Sequence, residues 1–443
     1  MLYSNRDLRK LIIPLLVEQV LAIAVGMADT IMVSAAGEAA VSGVSLVDTV
    51  NILLINVFSA LATGGAVVAG HFLGKKKKED ACRTAWQILL FATLLALFIS
   101  AVFIVAHDRL LRLMFGQIEP DVMQACKTYL VITAVSFVAL AVYNSCAALF
   151  RAMNYAKVTM WVSILMNIIN VVGNAICIFG LHMGVAGVAV PTAVSRYVAA
   201  ILVFVLILNP ERDISLHGQI HLRFDGALIK KILYIAVPNG LENSMFQLGK
   251  ILVISAVSTM GTAAIAANAV CGALASWNIL PGMAVNLAIV SVVSVCVGAG
   301  EYGQARYYTK KLCFVAEAGT IAMSALLYFT APFIVGLYHL SPEGSEMAIE
   351  VFRFHAVMAV FFWVLSFSIS NTLRAAGDVV WPMAVAIISM WLFRVVAAYV
   401  FTYTFHFGLL AIWVAMIIDW IFRAICYLFR YRGHKWELFG AKE

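Results

Sequence analysis

The chain has 443 residues, of which 63% are hydrophobic and only 12% charged, with a mean hydropathy of +0.96. A water-soluble domain carries about a quarter charged residues, so this much apolar surface has no place in a single aqueous core, and the composition predicts a polytopic membrane protein. The net charge of +7 is assigned below to topology, which removes the need for a nucleic-acid partner.

The apolar runs last about 20 residues or more and lack the alternation of barrel strands, so the spans are helices and the fold class is all-α. A window of about 19 residues predicts twelve of them, at 11–35, 44–72, 84–106, 122–150, 157–180, 186–208, 228–259, 265–298, 311–337, 345–373, 380–404 and 408–430. The basic start (Arg6, Arg9, Lys10) precedes an apolar run too long for a signal-peptide core and without a small-residue cleavage site, so the first helix is expected to be retained. An even number of spans puts both termini on one side. That side collects 23 of the 30 Lys and Arg residues, including Lys75 to Lys78, Arg374, Arg423 and Lys442, whereas the opposite loops hold Arg109, Arg112, Lys127 and Arg353. The positive-inside rule therefore predicts cytoplasmic termini in a multi-pass plasma-membrane protein, with the basic loops touching acidic headgroups. The eight cysteines fall mostly in apolar runs and form no CxxC, which predicts small buried apolar residues with no disulfide and no metal.

The longest polar connection, 209–227, divides the chain into six predicted helices on each side. At an offset of 224, Pro14 falls on Pro238, Glu18 on Glu242, Gly37 on Gly261 and Gly74 on Gly298. At 223 to 224, Arg151 falls on Arg374, His182 on His406 and Gly184 on Gly408. A register held this long argues for duplication. Six spans per copy give both copies the same orientation, so the expected domains are an N-terminal lobe (1–208), a cytoplasmic connection (209–227) and a C-terminal lobe with a short tail (228–443), related by a pseudo-twofold axis along the membrane normal.

Ionisable residues inside these spans are the functional candidates, since burying one in a bilayer costs roughly 2.5–3.5 kcal/mol on insertion scales. The first helix has two, Glu18 and Asp29. Eleven residues separate them, about three turns and about 16 Å of rise, so they share a face at different depths. Either acid can exchange a proton with a water-filled cavity or ligate Na+ with neighbouring oxygens; the alternative is a buried acid held permanently by hydrogen bonds. Glu18 and its mate Glu242 form a symmetric pair. They suit a gate or second ion site, unless each is bound within its own lobe by backbone or an arginine. Pro14 and Pro238 lie four residues before these glutamates and either bend their helices or sit at the helix start. Lys250 stands midway along the seventh predicted helix, where the other lobe has Gly26, and the candidate partners are Asp29, Glu242 or Glu18. A fixed cation in the cavity also favours anionic or zwitterionic cargo. Asp29 has Val253 as its mate and so breaks the symmetry.

The order PLLVEQVLAIAVGMADTIMV, LGKKKKEDA, FRAMNYAKVTM, IFGLHMGVAGVAV, LPGMAV, VGAGEYGQA and LRAAGDVVWPM resembles the MATE family of multidrug and toxic-compound efflux proteins over nearly the whole chain. The resemblance implies a twelve-helix fold of two six-helix lobes around a V-shaped cavity, and antiport of organic cations or zwitterions against H+ or Na+. It also implies a first-lobe network, which carried over position by position becomes Asp29, Asn170, Asn174 and Thr192. Asn174 stands where several relatives have Asp, and because an amide does not titrate, Asp29 becomes the proton carrier, or the Na+ ligand, with Asn170 and Thr192 orienting it. The first-helix proline resembles a bending point that responds to protonation. The NorM-like branch has acids at positions that match Phe246 and Trp363 here, so a DinF-like pattern fits better.

Among the other polar positions, Arg394 and Asp419 are expected to form a structural ion pair, with Arg196 and Glu317 unassigned within their spans. His182, His339 and His406 are expected to be solvated outer-loop residues. Met27, Met32, Met166, Trp161, Trp277 and Trp391 either line a permissive cavity or face lipid and core. The expected activity is that of a monomeric secondary exporter with no cofactor beyond its coupling ion. A lipid or lipid-linked oligosaccharide flippase is the alternative. An enzyme is disfavoured, because HExxH, GxSxG and paired membrane aspartates are missing.

Overall fold

A computed structural model of the chain describes residues 2–116, 118–217, 223–405 and 407–440. His406, Lys442 and the stretch 218–222 of the central connection lie outside the described residues. Among the described residues the regular structure is helical throughout. The long helices are α1 (Asn5–Ser34), α2 (Glu38–Gly74), α3 (Lys78–Val105), α4 in two pieces (Pro120–Val135 and Phe137–Ala152), α5 (Ala156–Gly180), α6 (Ala186–Ile207), α7 (Gly226–Ser258), α8 (Thr262–Gly298), α9 (Tyr302–Gly336), α10 (Pro342–Ala375), α11 (Val380–Tyr403) and α12 (Leu409–Arg432). Ten of these are long and apolar enough to cross a membrane singly, and the two pieces of α4, bent by 46°, are long and apolar enough to do so together. At 33 residues, α7 is about 50 Å long, more than a bilayer needs, and takes the remaining predicted place.

Several helices begin earlier than the hydropathy pattern predicts. α2 starts at Glu38 rather than 44, because Gly37 adopts φ +101° and turns the chain directly into the helix. Its mate Gly261 does the same at φ +98° ahead of α8. Only glycine takes such a conformation without cost, so the duplicated glycines have a conformational reason. π-helical turns interrupt both fifth helices of the repeat, at Ile176–Gly180 in α5 and at Met390–Val396 in α11.

Two compact units are present, Asn5–Gly240 and Leu241–Glu443, the second joined by the residues that precede α1. The division falls inside α7, because its first half packs on α2: a Cβ on Gly64 would lie 2.7 Å from the Ile232 carbonyl, and one on Gly240 would lie 3.5 Å from Ala60. In the first unit, Ala92 and Ala96 of α3 leave room for Phe58 of α2 and Phe137 and Leu140 of α4. Small residues of this kind let membrane helices approach closely. In the second unit Gly282 of α8 makes space for the ring of Trp363 on α10, which is buried.

Candidate functional site

In the first unit a cleft of ≈130 Å³ is lined by Gly26, Asp29, Thr30 and Val33 of α1, Ser45 and Asp48 of α2, Tyr129 of α4 and Val188 of α6. Behind Asp29 lies α5. Asn174 donates through Nδ2 to Asp29 Oδ1 at 2.8 Å and stands 3.4 Å from Asn170 Oδ1; Asn170 donates to Thr192 Oγ1 at 2.9 Å, and Thr192 in turn donates to the Val188 carbonyl at 2.8 Å. All four positions carried over from the family pattern therefore meet. Their helices come close because Gly173, between the two asparagines, has no Cβ: one placed there would lie 2.7 Å from the ring of Pro191, beside Thr192. Asn174 is fully buried and its Oδ1 has no partner among the described residues. This leaves a free acceptor on the amide that already binds the carboxylate.

Asp48 is a second carboxylate in the same cleft, and the sequence reading passed over it. With α2 starting at Glu38 it sits about 15 Å into the helix, not at the helix end that a start at 44 implies. Tyr129 donates to its Oδ1 at 3.0 Å and Asn51 at 3.1 Å. Arg196 supplies the positive charge. Its guanidinium acts electrostatically on Tyr129, Asp48 and Asp29 and donates to Ser136 Oγ at 2.8 Å, at the break between the two pieces of α4. The cleft thus combines two carboxylates with one guanidinium.

The second unit collects charge of the opposite sign. Around the ring of Phe246 on α7 stand Lys250 Nζ at 5.2 Å from the centroid, Arg394 of α11 at 5.2 Å and Arg423 of α12 at 5.8 Å. The carboxylate among them is Asp419, which is fully buried. It accepts from Arg423 at 2.7 Å and from Ser389, and lies 4.0 Å from Arg394. The expected Arg394–Asp419 pair is present, but Arg423 makes the shorter contact. Arg423, counted above with the cytoplasmic cations, is 2% exposed and belongs to this cluster. Lys250 is exposed and has no acid within 4 Å among the described residues of its unit. Glu242 is not its partner, because Arg374 Nη2 contacts both oxygens of that carboxylate at 2.6 and 2.7 Å.

The duplicated glutamates are each satisfied inside their own unit. Glu18 accepts from Thr159 and lies 3.9 Å from Arg151; Glu242 takes Arg374, the repeat mate of Arg151. Pro14 and Pro238 are in helix interiors, nine and twelve residues after the first residues of α1 and α7, not at their starts. Each leaves the carbonyl four residues earlier without its helical donor. His182 and His339 are exposed at φ +50° and +49°. Met27 and Trp161 are exposed, whereas Met32, Met166, Trp277 and Trp391 are half-buried, as are Glu317 and Arg196. His355 of α10 was not singled out from the sequence. It is 2% exposed, ringed by Phe352, Trp413 and Trp420, and neither ring nitrogen has a partner among the described residues. Among the described residues no three His, Cys, Asp or Glu side chains converge as a metal-binding set.

Twelve long helices in a repeated arrangement, with ionisable groups inside the spans, define a membrane transporter. A family model described as MatE matches residues 14–176 and again 238–400, once in each half of the duplication. The uncharacterized transporter YisQ of Bacillus subtilis is 30% identical over 431 residues, 96% of this chain and 93% of that protein. A probable multidrug resistance protein NorM of Thermotoga maritima is 25% identical over 441 residues, 98% and 93% of the two chains. Among solved structures, a MATE protein in complex with MaL6 superposes with a TM-score of 0.90 at 20% identity over 96% of this chain and 95% of that one. A MOP superfamily transporter from Pyrococcus furiosus, described as having a binding pocket of reverse polarity, gives a TM-score of 0.89 at 20% identity and the same coverage. The chain belongs to the MATE family.

Proposed function

We propose that this MATE transporter is an antiporter that exports organic cations or zwitterions by alternating access, driven by inward flow of H+ or Na+ that binds at Asp29. The observation that carries the reading is the Asn174–Asp29 hydrogen bond at 2.8 Å, in an open cleft, from an amide whose own oxygen is buried and, among the described residues, unpartnered. A bound cation satisfies that oxygen together with the carboxylate, and a proton on Asp29 gives it a donor. Asn170 and Thr192 fix the amide's orientation. Asp48, held by Tyr129, Asn51 and Arg196, is the second carboxylate of the same cleft.

In this mechanism the two lobes, 1–208 and 228–443, move against each other across the connection 209–227. Glu18 and Glu242, each bound by an arginine of its own lobe, act as latches that tie helices together within each lobe. Pro14 and Pro238 supply the bending points, and Lys250 sets the cavity charge. The likeness to proteins named as probable multidrug resistance proteins supports drug-like cargo, and the aromatic residues at 246 and 363 support a DinF-like branch. A monomer in the plasma membrane with cytoplasmic termini fits the distribution of Lys and Arg.

The test is uptake by proteoliposomes under imposed pH or Na+ gradients, with a panel of cationic and zwitterionic dyes and a fluorescent lipid. Asp29→Asn is expected to insert normally and to lose gradient-driven transport at least about 100-fold, as for removal of a group acting directly in the reaction cycle. Undiminished coupled transport by that variant overturns the assignment. Movement of the lipid but of none of the dyes would make the protein a flippase.

A further inference from the structure

The cluster around Phe246 has more cations than its own carboxylate can neutralise. Asp419 is fully buried, and its contacts go to Arg423, Arg394 and Ser389. Glu242, the other acid on α7, is occupied by Arg374. Among the described residues of its unit that leaves Lys250 without an acid within 4 Å, and Arg394 with only a share of Asp419 at 4.0 Å. Both stand 5.2 Å from the same ring centroid, so they are at most 10.4 Å apart. A cation without a counter-charge within a membrane span is costly, and a helix that carries one marks a substrate or ion pathway. Lys250 is exposed and Arg394 keeps 11% of its side-chain surface accessible, so an incoming group can reach them, whereas Arg423 at 2% cannot be reached.

The position of Arg394 is itself informative. It lies on the π-helical turn Met390–Val396, a local widening of the helix of a kind found frequently at functional sites. Gly249, next to Lys250 in sequence, packs against Met390 at the start of that turn, where a Cβ would collide with the Met390 side chain. α7 and the turn are therefore held together at the point where the two cations face the ring. The face of an aromatic ring is electronegative and attracts cations, so Phe246 gathers Lys250 and Arg394 and leaves the rest of its flat hydrocarbon surface beside the positive charges. That combination fits an oxyanion attached to an aromatic or other flat apolar body.

We propose that Lys250 and Arg394, over Phe246, form a binding seat for the carboxylate of a transported zwitterion. This deepens the transport reading above and rests on it: the ion site of the first unit supplies the coupling, and this seat of the second unit selects for cargo with an acidic group. The shared chemistry is that of an oxyanion, and an anionic lipid headgroup is the competing occupant.

A matched pair of dyes separates the possibilities: rhodamine B, which carries a free carboxylate, and its methyl ester, which is a plain cation. Full-length protein is reconstituted in phosphatidylcholine vesicles with and without phosphatidylglycerol, and the ratio of acid to ester transport is the readout. Wild type is expected to prefer the acid, and Lys250→Gln to lower the ratio about tenfold, the loss expected for one charge-assisted contact. Arg394→Gln lowers it in the same direction, and Lys250→Arg restores it. Residual ester transport shows that each variant is folded. Equal loss of acid and ester, or an unchanged ratio in Lys250→Gln, overturns the proposal. Suppression of acid transport by phosphatidylglycerol in wild type but not in Lys250→Gln assigns the seat to lipid phosphate and overturns it too. Failure of the antiport reading shows differently, as transport of both dyes that ignores the imposed gradient.

Discussion

The two halves of the duplication share their packing and differ in their charges. In the first unit two carboxylates, Asp29 and Asp48, share the guanidinium of Arg196; in the second, Lys250, Arg394 and Arg423 gather around the ring of Phe246, and among the described residues the carboxylate of Asp419 pairs with the two arginines. What stayed symmetric is mechanical. Gly37 and Gly261 turn the chain into α2 and α8 with nearly the same φ, and Glu18–Arg151 and Glu242–Arg374 tie equivalent helices together. What diverged is the chemistry, and with it one helix: α4 is bent by 46° at Ser136, where Arg196 is anchored, while its counterpart α10 runs unbroken from Pro342 to Ala375. Duplication fixed a scaffold on which each copy could acquire its own sign of charge.

The sharpest way to break that comparison is to remove the central acid from each unit. Asp419→Ala strands two arginines, one of them 2% exposed, and is expected to cost about 3–5 kcal/mol, the usual penalty for breaking a buried pair. Asp48→Ala removes an acceptor that is only half-buried and is expected to cost about 1–3 kcal/mol. Thermal unfolding of the detergent-solubilised variants orders the two, and a less stable Asp48→Ala would contradict the picture of a packed second cluster and an open first cleft.

A smaller difference separates the repeated latches. Arg374 meets Glu242 at 2.6 Å whereas Arg151 stands 3.9 Å from Glu18. Arg374→Ala is therefore expected to lose about 2–3 kcal/mol and Arg151→Ala about 1 kcal/mol, in line with charge-assisted and ordinary contacts. Equal losses in the same unfolding assay would mean that the two latches are equivalent despite their geometry.

The smallest effect belongs to the surface. Asp108, on the short helix His107–Phe115, is bonded by Lys127 at 2.5 Å, and that bond, reinforced by the charges of Lys127, His107 and Arg112, holds its carboxyl below the usual range. A depressed carboxylate contributes its stability above the unfolded-state value and loses it as the pH falls through the folded-state value. Asp108→Asn should therefore change stability little at neutral pH, as expected of a solvent-exposed pair. Even that difference should vanish in acid, and a larger gap at low pH than at neutral pH would reverse the sign of the argument.

Much of this was legible in the sequence, for reasons that particular residues make plain. Hydropathy located the helices because each span needs about 20 apolar residues. The repeat exposed Glu18 and Glu242, and the family resemblance placed Asn170, Asn174 and Thr192 beside Asp29. Asp48 was not legible, because its depth depends on where α2 begins, and that is set by a glycine conformation rather than by apolar content. Arg423 was misplaced for a similar reason: near the C-terminus it counts as a cytoplasmic cation until Asp419, one turn earlier, is seen to hold it. His355 gave no signal at all, since the aromatic cage around it is assembled from two helices that lie far apart in sequence. Spacing along a helix gives depth and face, but the partner on another helix comes only from the packing.

The division of the chain inside α7 bears on the order in which the protein is made. The first unit is not complete when its sixth helix has left the ribosome, because residues up to Gly240 belong to its packing. The N-terminus in turn waits for Tyr308, whose hydroxyl is bonded to both the nitrogen and the carbonyl of Tyr3. Neither half can reach its final structure as a separate translation product cut at 209–227. A chain split there should assemble only when both fragments are present in the same membrane.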